Sequence, residues 1–103
     1  MARQAAAKMK KAAYKRALQV VGSVVREWDP YSLIAGGAPV DEFDSEIAGV
    51  VAQIPRIKTE EEAVLALSRV FTSAFEADDF TPEKCTEAGK KLFAALSASG
   101  LVG

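Results

Sequence analysis

A chain of 103 residues, half of them apolar and 26% charged, has the usage of one ordinary globular domain. It contains no histidine and a single cysteine. That removes the side chain most used for proton transfer near neutral pH, the commonest transition-metal ligand and any disulfide framework. The formal net charge of −1 conceals two parts of opposite sign: residues 1–26 carry seven basic residues and no acid, and residues 27–103 carry six basic residues and all fourteen acids.

Alanine is abundant, aromatics are few and strict apolar alternation is missing, which predicts an all-α fold. The first helix is expected from about Arg3 to Glu27. Tyr14, Ala17, Leu18, Val21, Val24, Val25 and Trp28 recur on one face of a 3.6-residue period. Before Tyr14 that face holds only Ala and Met, so residues 1–13 are expected to fray or project. Pro30 stops the helix, because the residue before a proline is pushed out of the α region.

A second helix is expected from Asp41 to Ile54, with Phe43, Ile47, Val50, Val51 and Ile54 as its buried face. Asp41, Glu42 and Asp44 then sit in its first turn, where carboxylates accept free amides and favour the positive end of the dipole. Thr59 followed by Glu62 is a capping box that opens the third helix. Val64, Leu67, Val70, Phe71, Ala74 and Phe75 are its core face, and it ends in the acidic turn Glu76–Asp79. The fourth helix is expected to open with Thr81 as N-cap and Pro82 at its first position. Cys85, Ala88, Leu92, Ala95 and Leu96 share a face, and Gly100 suits a left-handed cap with Leu101 packed back on Leu96. These segments predict a small four-helix bundle, one domain over residues 1–103 with a long N-terminal helix.

Each group that could carry chemistry has a simpler use. The acids Asp41, Glu42, Asp44 and Glu46 are helix neighbours at spacings of three and four. A hard cation, however, needs about six shaped oxygens, and the calcium-loop pattern does not occur. Helix-start acids facing water explain them better. Cys85 lies on an apolar face between Glu83 and Glu87 with no histidine to activate it, so a buried structural thiol is expected. Gly36 and Gly37 lack a phosphate-loop pattern and read as a turn. The basic start, ARQAAAKMKKAAYKR, could contact phosphates, yet it has neither a bulky apolar face for a membrane nor a stacking platform for nucleic acid. Trp28 continues the buried stripe and is assigned to the core. Tyr31 is open to a partner.

A helix ending in Trp28, Asp29, Pro30 and Tyr31, a Gly/Pro loop, and then Asp41, Glu42, Phe43 and Asp44 resembles a family of small bacterial helical proteins, a domain of unknown function of Bacillus type. The likeness spans roughly residues 18–97 in layout, with its motifs on about eight positions. It implies the helical fold and a bacterial origin, and brings no activity.

The function expected is therefore non-enzymatic: a cytoplasmic protein-interaction module, of the kind that immunity-type inhibitors represent, presenting an acidic surface to another, basic protein. Tyr31, Asp41, Glu42, Asp44 and Glu46 are its candidate contact residues. No catalytic residue, metal or cofactor is expected, the membrane is not a partner, and no oligomeric state follows from the sequence. The alternative is a nucleic-acid-associated protein using the basic N-terminal helix. A carboxylate-metal enzyme ranks third.

Overall fold

Four α-helices and two single 3₁₀ turns make up the computed structural model, which describes residues 10–76 and 78–102; among these there is no strand. The helices are α1 (Lys11–Trp28), α2 (Asp44–Gln53), α3 (Glu60–Phe75) and α4 (Thr86–Ala98), with the 3₁₀ turns at Pro30–Ser32 and Ile54–Arg56. The Cα radius of gyration is 13.2 Å, close to the ~13 Å of a compact hundred-residue domain. No described helix is long and apolar enough to cross a membrane.

The helices form where the apolar spacing predicts them, and differ at their ends. Lys10 has extended backbone (φ −63°, ψ 153°), so α1 starts at Lys11 and is not continuous with a helix from Arg3. The rest of that expected segment lies outside the described residues. At the other end Asp29 turns left-handed (φ 48°) and donates its amide to the Val25 carbonyl, and the buried Pro30 starts the next turn. α2 begins at Asp44, three residues later than expected. Consecutive turns occupy Val40–Phe43, with the Glu42 amide on the Pro39 carbonyl and the Asp44 amide on that of Asp41. Phe43, fully buried, occupies the N-cap position and puts Asp41 and Glu42 outside the helix.

α3 follows its capping signal. Thr59 Oγ1 accepts from the Glu62 amide at 3.1 Å, and Glu62 Oε1 accepts from the Lys58 amide at 2.7 Å, one residue before the expected N-cap amide. α4 departs from its signal. Thr81 Oγ1 does accept from the Lys84 amide (3.3 Å), but this closes a turn, and the Pro82 carbonyl receives both the Cys85 amide and the Thr86 hydroxyl. Cys85 sits at φ −93°, ψ 1°, and the regular helix starts at Thr86 instead of Pro82. Its end is the Schellman cap expected: Gly100 is left-handed (φ 71°), Leu101 donates to the Leu96 carbonyl and Gly100 to that of Ser97.

The core joins Val21 and Val25 of α1, Ile47, Val50 and Val51 of α2, Leu67 and Phe71 of α3, and Leu92 and Leu96 of α4. Ile57 and Phe80, which lie in connections, are buried as well. Of the expected core residues Ala74 and Tyr14 (43%) are exposed, and Leu18, Trp28, Val70, Phe75 and Ala95 are partly buried against the core. Neighbours in sequence pack together, and α1 also packs against α4. In a simple up-and-down arrangement α4 would start beside the end of α3. Here residues 78–85 fold back along α3, with the Phe80 carbonyl bonded by Ser68 and Thr72, and Gly89 lies against the backbone of Val64. A Cβ on Gly89 would stand 2.7 Å from the Val64 Cα, so glycine is what permits this approach of α4 to the first half of α3.

Candidate functional site

The end of α1 and the turn after α3 meet in one aromatic cluster. Phe71, fully buried, is at its centre: Trp28 stands edge-on to it at 5.1 Å, Phe75 stacks at 6.0 Å, and Phe43 and Phe80 lie at 6.2 and 5.4 Å. Trp28 also meets Phe80 edge-on at 5.9 Å. Its assignment to the core holds in contact, although it remains partly exposed. Rings in these offset and edge-to-face arrangements gain from their quadrupoles as well as from burial.

Asp29 builds the loop that leaves this cluster. Its two carboxylate oxygens accept from the amides of Ile34 (2.9 Å) and Ala35 (3.0 Å). The Gly36 amide goes to the Ser32 carbonyl, Gly37 to Ile34 and Ala38 to Leu33. Every amide from Ile34 to Ala38 is therefore used within the loop, and none is left to cradle a phosphate. Gly37, at φ 111°, supplies the turn that glycine allows. Three other residues, Asp29, Tyr31 and Ser32, also have positive φ (48°, 64° and 53°). Aspartate tolerates that region, whereas for tyrosine it is uncommon and must be held by its surroundings.

What holds Tyr31 is visible. Its ring meets Phe75 and Phe80 edge-on at 5.6 and 5.5 Å, and its hydroxyl donates to Asp79 Oδ2 at 2.7 Å. Half of the residue (51%) still faces solvent. The hydrogen bond to Asp79, then desolvation and the carboxylate's charge, raise the phenol above its usual pKa. Asp79 and Phe80 are the residues that sequence reasoning missed. The only signal was an acidic pair directly before an aromatic in a connection that looked merely polar.

The expected contact residues divide. Asp41, Glu42 and Asp44 are exposed and Glu46 is partly so. Among the described residues no hydrogen bond or ion pair joins Tyr31 to any of them. Asp44 faces α1, 4.0 Å from the Arg26 guanidinium, at a groove shared with Tyr14, Leu18 and Ile47. Among the described residues no group of three or more His, Cys, Asp or Glu side chains is placed to hold a metal ion.

Along the chain, the acids concentrate in the segments that enter and leave this cluster, with Arg26 against Asp44 beside them. Residues 27–46 and 76–79 contain nine of the fourteen acids, and no basic residue occurs in 27–55 or 70–83. Tyr31–Asp79 ties these two segments together, and Trp28–Phe80 and Phe43–Phe71 anchor the first to residues beside the second and to α3. The basic residues of 1–26 are spread over different uses: Arg26 meets Asp44, Arg16 Nη1 donates to the Ser99 carbonyl at 3.0 Å, placing a cation at the C-terminal end of α4, and Lys10, Lys11 and Lys15 are exposed.

Cys85 is buried, and desolvation pushes its thiol up to about 11. Its Sγ lies 3.7 Å from the Phe80 carbonyl oxygen, which also accepts from the Ser68 hydroxyl at 2.5 Å. A thiol this far above neutrality is a poor nucleophile and serves here as a packing group. Compared with protein-family models, curated proteins and solved structures, the chain matches none.

Proposed function

We propose that the protein is a non-enzymatic, cytoplasmic interaction module that binds a basic protein through its acidic, aromatic end. The scaffold in this reading is a four-helix bundle with a long N-terminal helix, and an immunity-type inhibitor is the form of module it fits. The layout shared with small bacterial helical proteins belongs to the same proposal. The observation that carries it is Tyr31, half-exposed and fixed by Phe75, Phe80 and Asp79 within a stretch of acids that holds no base. A rigid amphipathic ring bonded to one carboxylate, on a segment of chain whose charges are all acidic, combines an anchor with electrostatic steering.

Capture from the native host with the immobilised full chain identifies the partner, and titration of that purified partner tests the surface. Tyr31→Ala should weaken binding about tenfold or more, and Asp41→Asn with Glu42→Gln should slow association and flatten its salt dependence. A partner bound equally well by both variants would contradict this assignment. The second reading, nucleic-acid association, draws on the exposed Lys10, Lys11 and Lys15. Salt-sensitive binding of duplex DNA that disappears when these three become Gln would favour it.

A further inference from the structure

At the far end of α2 from the acids, a cavity of about 210 Å³ lies between the Ile54–Arg56 turn and α3. Its floor is apolar, made by Ile57, Leu65 and Ala66, of which Ile57 and Ala66 are almost fully buried. Its rim carries two guanidinium groups, Arg56 and Arg69, with the Gln53 amide. We propose that this cavity is a binding site for a small organic anion, an oxyanion head with a short apolar body.

The polar groups at the rim are available for such a head. Among the described residues neither Arg56 nor Arg69 has a carboxylate within 4.0 Å or donates a hydrogen bond to the protein. Glu62 is the one carboxylate lining the cavity, and its Oε1 is occupied by the Lys58 amide in the cap of α3. The lining thus carries two cations and one carboxylate, a net positive charge that an oxyanion head would offset. Guanidinium forks match carboxylate and phosphate oxygens in pairs, and Gln53 adds a neutral donor. The size matches the body: a cavity of about 150 Å³ holds benzene, so the 210 Å³ here suits a single ring or a short chain. Pro55 sets the turn that carries Arg56, while Arg69 stands on α3, so a bound head group would link two elements.

The test is a titration of the ¹⁵N-labelled full chain with benzoate and phenyl phosphate, alongside inorganic phosphate as head alone and benzyl alcohol as body alone. Benzoate or phenyl phosphate should give saturable shifts centred on the Ile57, Leu65 and Ala66 amides. Inorganic phosphate should bind more weakly, and benzyl alcohol should not bind at that site. Arg56→Gln and Arg69→Gln should each weaken binding about tenfold or more. Both side chains are exposed, so the variants should retain the parent spectrum. Arg69→Lys, which keeps charge and loses the fork, should fall between. The assignment is overturned by no saturable shift with either probe, by benzyl alcohol matching benzoate, by inorganic phosphate matching benzoate, or by undiminished binding in the Gln variants. The site lies apart from the acidic end, so its failure leaves the interaction reading standing.

Discussion

The connection from α1 to α2 and the connection from α2 to α3 do the same topological work by opposite means. The second is short and regular: the 3₁₀ turn through Pro55, the buried Ile57, and a Thr59–Glu62 cap whose residues hold ordinary backbone angles. The first is long and places three non-glycine residues at positive φ, held by the Asp29 carboxylate, the packed Tyr31 ring and the bond to Asp79. Local sequence rules suffice for the second. The first depends on contacts between segments far apart in the chain, and Tyr31 and Asp79 are 48 residues apart. Strained backbone kept in place by tertiary contacts is more often found where a protein meets its ligand than in a plain connection.

The largest effect that would break this contrast lies at Phe71. It is the one ring in contact with Trp28, Phe43, Phe75 and Phe80 together, and it is fully buried. Phe71→Ala should cost about 3–5 kcal/mol, as large aromatic truncations in cores do. Urea unfolding measures this directly. A loss below about 1 kcal/mol would mean that the cluster is not what secures the first connection.

Asp29 comes next. Alanine there loses two hydrogen bonds, worth about 0.5–1.5 kcal/mol each, and places a less tolerant residue in the left-handed region. Asp29→Ala should therefore destabilise by about 2 kcal/mol. Asp29→Asn keeps the backbone tolerance and one good acceptor, and should lose about half as much. Equal losses in the two variants would remove the carboxylate from its role as organiser of the loop. At the regular connection, Thr59→Ala should cost about 1 kcal/mol, the usual value of an N-cap. Hydrogen exchange sharpens the comparison: Thr59→Ala should speed exchange only in the first turn of α3, whereas Asp29→Ala should speed it throughout residues 32–38.

How much of this was legible in the sequence follows the same division. The Thr59 cap, the Gly100–Leu101 end of α4 and the buried face of α2 depend on residues a few positions apart, and each is found where the spacing puts it. The start of α2 was misread because acids at Asp41 and Glu42 signal a first turn, while burial of Phe43 against Phe71 holds the chain in turns until Asp44. The start of α4 was misread because Thr81 and Pro82 have the chemistry of a helix start. The chain instead follows α3 backwards to seat Phe80, and its carbonyl is then satisfied by Ser68 and Thr72. Of the candidate contact residues, Tyr31 was visible as an aromatic on a loop. Its partner Asp79 was not, since no local pattern links residues so distant.

The smallest effect concerns that pair. Asp79 accepts the Tyr31 proton in a hydrogen bond and its charge opposes the phenolate, so the phenol's pKa is raised in the folded state. A raised pKa means that the folded protein holds this proton more tightly than the unfolded chain. The contribution to stability is therefore fully present below the ordinary phenol value of about 10 and is lost as pH rises through the folded value. Cys85, at about 11 and raised by burial, adds a loss of the same sign in an overlapping window. Titrating tyrosinate absorbance in a Tyr14→Phe background isolates Tyr31. Asp79→Asn should return its midpoint toward the ordinary value, because the amide still accepts the hydrogen bond but carries no charge and favours the neutral phenol less strongly. The interaction reading adds a second requirement: Asp79→Asn should lower the unfolding midpoint at pH 7 only slightly, by the part of the stabilisation that the charge supplies, and should weaken partner binding by more than that loss explains. If binding is untouched while the tyrosinate midpoint moves, the Tyr31–Asp79 bond is a brace for the loop alone, and the contact surface must be sought among Asp41, Glu42, Asp44 and Glu46.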